Sequence, residues 1–219
     1  IWVRKGWRTS LGDSMTNLPI SPIPPEHPPP PSVVVLGRFQ PFHRGHAHMV
    51  EFAERWRLEN MPQASLVIAI GSSNRPESLR NPWTNSERSD MISEWLESSI
   101  VEGTPIITSI PDIEDPPNWV SHAEMYHGPS GVFISSDHDS LDLYKDSGWE
   151  TVEIPMEDRG RFQGWRVRET ARMMSTIGDN DAIVEVLTPT IPHSVLKLMI
   201  DKQYLRRLAF LGEGGEPVG

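Results

Sequence analysis

The 219-residue chain contains no cysteine. That absence excludes a disulfide scaffold, a thiolate metal site, an iron–sulfur cluster and a cysteine nucleophile, and it fits a reducing, cytoplasmic compartment. Long apolar runs are missing as well. The most apolar stretches, residues 65–70 and 131–134, fall far short of the roughly 20 residues that a membrane-spanning helix needs, so a soluble protein with no membrane partner is expected. Positive charge is scarce: 20 Lys and Arg stand against 30 Asp and Glu, a net of −10. Phosphate-backbone affinity needs clustered Lys and Arg, so no nucleic-acid partner is expected. Any phosphorylated ligand must be small and held by a local cluster of positive groups.

Proline, by contrast, is abundant and unevenly placed. Eight of the 21 prolines fall between Pro19 and Pro31, where helix and sheet ladders are both denied backbone donors. Residues 1–32 therefore read as a disordered or polyproline tail. Its first part has a few basic residues and two Trp but no apolar signal-peptide core, and Met15 offers an alternative start that would make residues 1–14 an upstream extension. The tail removes Arg4, Lys5 and Arg8 against Asp13 and Glu26, so the rest of the chain is more acidic still. Residues 33–212 read as one domain, followed by a flexible end over 213–219.

Within that domain, short β-branched runs alternate with amphipathic stretches. Residues 33–36 form a strand buried on both faces, then come Gly37, a loop and a helix over about 45–58. Further strands are expected at 66–70, 104–110, 131–135 and 150–154. Helices are expected at about 84–97, opened by a Thr84/Glu87 capping box, and at 118–127, 140–145, 165–175, 181–187 and 191–208. Alternating strands and helices imply right-handed βαβ units. The expected fold class is α/β: a doubly wound, parallel five-stranded sheet with helices on both faces and a helical C-terminus. Ligands bind such sheets at the carboxyl ends of the strands, where strand order reverses.

The informative motif sits there: Gly37-Arg38-Phe39-Gln40-Pro41-Phe42-His43-Arg44-Gly45-His46, with His46 in the first turn of the following helix. A helix N-terminus offers free N–H groups and the positive end of the dipole, so it favours an anion. Two imidazoles spaced i, i+3 add donors on the same side. Gly45 permits close approach of backbone and ligand, while Pro41, Phe39 and Phe42 fix the loop.

This string resembles the nucleotidylyltransferase signature with its His-x-Gly-His core, and its surroundings are most similar to the archaeal type of nicotinamide-nucleotide adenylyltransferase. Three further segments match in order. Residues 71–88, Gly-Ser-Ser-Asn-Arg-Pro-Glu-Ser-Leu-Arg-Asn-Pro-Trp-Thr-Asn-Ser-Glu-Arg, resemble the family's loop after the second strand. Residues 110–120, ending in Asn118-Trp119-Val120, resemble the segment that presents an aromatic to the nicotinamide ring. Residues 161–168, Arg-Phe-Gln-Gly-Trp-Arg-Val-Arg, occupy the place of the second signature, in which Gly164 precedes Arg168.

The resemblance implies a Rossmann-like fold and attack of a mononucleotide phosphate on the α-phosphorus of ATP, releasing pyrophosphate. It implies that His43 and His46 contact the ATP phosphates and that Arg168 holds the pyrophosphate. Gly37, Arg38, Phe39, Gly45 and Gly164 would complete the phosphate site. Arg88 either reaches phosphate or pairs with a carboxylate. Asn118 and Trp119 would bind the acceptor, Trp119 by stacking on the pyridinium ring, although a Trp at a helix start also reads as a core residue. Mg2+ would arrive bound to substrate, with no protein metal cage: Asp137-His138-Asp139 reads as a helix cap. Family members assemble as hexamers or other oligomers, so a homo-oligomer is expected. The apolar positions Ile191, Val195, Leu198 and Leu205 suit either the core or a neighbouring copy.

Two features depart from the family. Gln163 and Trp165 stand where its second signature carries hydroxyl residues, and Ser135-Ser136-Asp137 replaces a more usual Ser-Gly-Asn. Alternatives of other kinds therefore stay open: a transferase for flavin mononucleotide or phosphopantetheine, or a non-catalytic nucleotide sensor. Glu87 reads as the capping partner of Thr84, and Arg75 and Arg80 as solvated charges.

Overall fold

The computed structural model describes residues 18–155 and 162–211. The start of the expected tail (1–17), the expected flexible end (213–219) and Arg161 of the second signature lie outside the described residues. Contacts divide the chain into two units. The first comprises residues 18–36, 52–75 and 104–155, and the second comprises 37–51, 76–103 and 162–211. Each is assembled from segments far apart in sequence, which is why residues 33–212 read along the chain as one domain.

The first unit carries the sheet. Its strands are β1 (Ser32–Gly37), β2 (Ser65–Ile70), β3 (Ile106–Ser109), β4 (Gly131–Ser135) and β5 (Glu150–Glu153). They form one parallel sheet in the order β3-β2-β1-β4-β5, so the expected five-stranded α/β architecture is present. Strand order reverses between β1 and β4, and the carboxyl ends there mark the ligand-binding edge of this class of sheet. Val34, Val67 and Ala69 on one face, and Val33, Val35, Ile68 and Ile70 on the other, are all fully buried. Covering both faces is what makes these strands continuous apolar runs. β3 lies at an edge, is shorter than the expected 104–110, and is only half-buried.

On one face, Val34, Val67, Ala69 and Phe133 pack with Val120, Ala123 and Tyr126 of α3 (Trp119–His127), with Leu141 and Tyr144 of α4 (His138–Asp146), and with Trp149. The Phe133 and Tyr144 rings stack at 3.7 Å. His127, fully buried beside them, bonds Gly128 O through Nδ1 (2.9 Å) and the Tyr144 hydroxyl through Nε2 (2.8 Å). The proline-rich residues 18–31 form neither helix nor strand, as their missing donors require, but they are docked. Asn74 Nδ2 donates to Pro19 O (3.0 Å) and the Tyr126 hydroxyl to Pro22 O (2.9 Å).

The second unit is helical. It holds the first turns of α1 (Arg44–Asn60), together with α2 (Asn85–Glu97), α5 (Gly164–Met174), α6 (Asn180–Leu187) and α7 (His193–Asp201). The Thr84/Glu87 capping box opens α2, with Glu87 N donating to Thr84 Oγ1 and Thr84 N to Glu87 Oε2. Glu87 also takes a paired interaction from Arg207. The last helix, expected to run from 191 to about 208, stops at Asp201. Gln203 takes φ +58°, in the left-handed region, and the chain resumes as a 3-10 turn over Arg206–Ala209. Ile191, Val195 and Leu205 are buried within the chain, and Leu198 is half-buried. Among the described residues no helix is long and apolar enough to cross a membrane.

Candidate functional site

β1 ends at Gly37 and α1 begins at Arg44, and the loop between them is built from buried side chains. Phe39 and Phe42 are fully buried with ring centroids 5.8 Å apart, and Phe39 meets His46 edge-on at 4.8 Å. Phe39 has φ +51°, an uncommon conformation for a bulky residue, tolerated here because the surrounding packing determines it. A Cβ at Gly37 would lie 2.9 Å from the Phe39 ring, so this loop requires glycine there. Gln40, also buried, pairs with the backbone of Trp83 in both directions: Nε2 donates to Trp83 O (2.8 Å), and Trp83 N donates to Oε1 (3.1 Å). Arg88 is 2% exposed and donates to Arg38 O (2.9 Å) and Thr84 O (3.2 Å). Arg168 of α5 donates to Gln40 O (2.8 Å). α2 and α5 thus brace the loop through its backbone, and Trp83 braces it through the Gln40 side chain.

The two imidazoles lie face to face, 3.7 Å apart at 20°. His46 Nδ1 accepts from the His43 backbone N–H (3.3 Å), which leaves the His46 proton on Nε2. His43 is 4% exposed, and its Nδ1 is buried with no hydrogen-bond partner in the protein. Such an orphan calls for an explanation, and a ligand supplies one. Burial, and then the charge of Arg168, lower the His43 pKa to about 4. Burial, then His43 and Arg38, hold His46 well below its ordinary value. Both rings are therefore neutral N–H donors near pH 7. Arg168 is lowered to about 10, by burial and then by Arg38 and Arg80, and it stays protonated. The positive charges of Arg38, Arg80 and Arg168 repel one another, and an anion placed among them would relieve the repulsion.

Close approach within this cluster depends on glycine. A Cβ at Gly45 would lie 2.8 Å from Phe162 Cβ and 3.1 Å from the His43 ring, and one at Gly164 would sit 3.3 Å from the Arg168 guanidinium. Beside Arg168 opens a cavity of about 220 Å³, lined by Leu79, Arg80, Trp165, Arg168, Glu169, Arg172 and Leu208. Of the two departures in the second signature, Trp165 is 54% exposed on this cavity and donates its indole N–H to Gln163 Oε1 (2.7 Å). The Arg166 guanidinium lies 5.1 Å from its ring centroid.

The sequence-based candidates Gly37, Arg38, Phe39, His43, Gly45, His46, Arg88, Gly164 and Arg168 all belong to the second unit. Arg80, read from the sequence as a solvated charge, lies near enough to Arg168 to shift its pKa and lines the cavity. Gln40 and Arg172 were not singled out. A lone amide between two Phe residues is the only signal that marks Gln40, and nothing local marks Arg172. Asn118 and Trp119 belong to the first unit. There Trp119 is half-buried and meets Tyr144 edge-on at 6.3 Å, while Asn118 donates to Asp115 Oδ2 (2.8 Å). Asp137 caps α4 by accepting from Ser140 N, as expected, and among the described residues no group of His, Asp and Glu is arranged to hold a metal.

Residues 34–151 match the cytidylyltransferase-like family. A nicotinamide-nucleotide adenylyltransferase of Haloarcula marismortui is 31% identical over 182 residues, covering 81% of this chain and 92% of that protein. One of the same name from Ignicoccus hospitalis is 29% identical over 178 residues, covering 81% and 95%. Among solved structures, a bifunctional NMN adenylyltransferase/ADP ribose pyrophosphatase from Francisella tularensis shares the fold, with a TM-score of 0.57 at 20% identity. That alignment covers 83% of this chain and 53% of the larger protein. Matching in family, in length and in fold, the chain belongs to the cytidylyltransferase-like nucleotidyltransferases, among the archaeal-type nicotinamide-nucleotide adenylyltransferases.

Proposed function

We propose that the protein transfers the adenylyl group of ATP to nicotinamide mononucleotide, giving NAD and pyrophosphate. The observation that carries this reading is the cluster of His43, His46, Arg38, Arg80 and Arg168 around a buried imidazole nitrogen that no protein group satisfies. The attacking mononucleotide phosphate is already anionic near neutral pH, so the reaction needs no protein nucleophile and no strong base. A phosphate oxygen of the acceptor forms a bond to the α-phosphorus as the bond from that phosphorus to the α–β bridging oxygen breaks in line. The electron pair leaves with pyrophosphate. Catalysis is then positioning plus stabilisation of charge building on the phosphate oxygens.

In this scheme neutral His43 and His46 donate to oxygens of the α- and β/γ-phosphates, and Arg38 lies beside them. Arg168, with Arg80, holds the departing pyrophosphate. Gly45 and Gly164 let the phosphates reach the donors. Arg88, whose described bonds go to Arg38 O and Thr84 O, acts on the phosphates by holding the turn that bears Arg38. Mg2+, arriving bound to substrate, would supply neutralisation of phosphate charge beside Arg38 and Arg168. Trp119 stacks on the pyridinium ring and Asn118 binds its carboxamide or ribose. The reading includes a cytoplasmic, self-associating enzyme that binds small nucleotides and no nucleic acid.

Pyrophosphate release, followed with ATP and each of nicotinamide mononucleotide, flavin mononucleotide and phosphopantetheine, tests it. Turnover is expected with the first acceptor above the others. Turnover with another acceptor alone would reassign the substrate, and intact ATP binding without turnover on any of them would make the protein a nucleotide sensor.

A further inference from the structure

The proline-rich segment makes its described contacts at a specific place in the first unit. Asn74 lies in the loop that leaves the carboxyl end of β2, and Asp112 in the loop that leaves the carboxyl end of β3. The Asn74 amide is fully engaged: Nδ2 donates to Pro19 O (3.0 Å) and Asp112 O (2.8 Å), and Oδ1 accepts from Asp112 N (2.8 Å). One residue further, Arg75 pairs with Asp112 (2.6 Å) and Glu114 (3.0 Å). The Ser73 hydroxyl donates to Ser21 O (3.4 Å), and the Tyr126 hydroxyl of α3 donates to Pro22 O (2.9 Å). The first residue of α3 is Trp119.

The chain segment 19–22 therefore joins the β2 loop directly to the helix that begins with Trp119, and reaches the 111–118 loop through Asn74. A proline-rich strand suits that use. Its carbonyls accept freely because it has few N–H groups to satisfy, and its restricted φ angles keep the entropy cost of docking small. The bonds from Ser73 and Asn74 lie just past the carboxyl end of β2, at the edge where this fold class binds ligands.

We propose that residues 19–22, acting through Asn74 and Tyr126, are a positioning brace that sets the 111–119 loop for the acceptor. The proposal rests on the reading of Trp119 and Asn118 as acceptor-binding residues. It assigns the segment an effect on acceptor affinity, because its bonds are to Ser73, Asn74 and Tyr126 of the unit that also holds Trp119, and none on ATP, because the candidate phosphate-binding residues belong to the second unit.

Two truncations separate this effect from any role of the preceding residues. A chain lacking residues 1–17 keeps the brace, and one lacking residues 1–23 removes it. Relative to the shorter truncation, removal of 1–23 is expected to raise the KM for nicotinamide mononucleotide by about threefold to tenfold, the equivalent of one or two net hydrogen bonds. KM for ATP and kcat stay within about twofold on the same scale. Tyr126→Phe keeps the ring packing, loses only the bond to Pro22 O, and is expected to give a smaller change of the same kind. It also carries the test if the longer truncation fails to fold.

Amide hydrogen exchange gives a readout that needs no acceptor. Loss of 1–23 should speed exchange across residues 112–121 while leaving 38–48 unchanged. Unchanged acceptor KM together with unchanged exchange at 112–121 would overturn the brace, and so would a parallel loss of acceptor affinity, ATP affinity and melting temperature, which marks general structural support. Absence of turnover with nicotinamide mononucleotide in the full chain would count against the acceptor reading instead, and the exchange comparison would still decide the brace.

Discussion

At the scale of single residues, the site is a contest between burial and charge. His43 has lost most of its hydration and faces Arg168, which is why its pKa falls to about 4. A bound triphosphate would supply both a partner for Nδ1 and negative charge beside the ring. The His43 midpoint, followed by NMR of its imidazole protons, is therefore expected to rise from about 4 toward the ordinary 6.5 when a non-hydrolysable ATP analogue binds. An unmoved midpoint at saturation would place the phosphates elsewhere. The ten-residue string 37–46 was legible because these functional groups are contiguous and follow a recognisable strand. The contacts of Arg80, Arg88 and Gln40 were not legible, since a guanidinium or amide looks the same in sequence whether it meets water, a carbonyl or a phosphate. Only the fold brings Arg80 near Arg168 and turns Arg88 onto Arg38 O.

Among elements, the junction of β1 and α1 does most to position chemistry. Its braces are buried at Gln40 and Arg88 and half-buried at Arg168, so each has a stability cost that can be measured. Gln40→Ala leaves both backbone groups of Trp83 without their partner and is expected to destabilise the protein by about 1–3 kcal/mol in urea unfolding. Gly45→Ala behaves differently. Its Cβ would press on Phe162 and the His43 ring, displacing the imidazole from the phosphates, so kcat is expected to fall by up to about 100-fold with a smaller change in melting temperature. Equal losses in stability and rate would show that the glycine serves packing alone. The sequence made the strands legible because Val33–Val35 and 66–70 are apolar on both faces, and β4 was placed at its observed bounds. The end of α7 was hidden: Gln203 takes a left-handed conformation that its residue type does not announce. Proline content marked 18–31 as neither helix nor strand. It carried no sign of docking, because the acceptors are backbone carbonyls.

For the whole molecule, acid sensitivity follows from buried neutral histidines. His127 titrates near 4 in the folded state, lowered by burial, against 6.5 as its ordinary value. Between those values the unfolded chain binds a proton that the folded one refuses. The stabilisation is complete above about pH 6.5, is lost progressively as pH falls toward 4, and amounts to on the order of 3 kcal/mol for this group. His43 adds a contribution of the same sign. Urea midpoints measured across this range should fall with pH, and His127→Gln should flatten part of the slope. An unchanged slope would mean that the His127 network opens before the protein unfolds. The acidic charge of the chain, −10 overall, coexists with a concentrated cationic site because net charge governs long-range partners while a nucleotide senses a few groups at close range. The central claim is that this site transfers the adenylyl group. Its most direct test is single-turnover pyrophosphate release from ATP and nicotinamide mononucleotide by wild type and His46→Ala side by side. The variant is expected to keep its fold by circular dichroism and to lose on the order of 10²–10³-fold or more in rate. Near-normal rates in the folded variant would contradict the assignment of the His43–His46 cluster as the site of transfer.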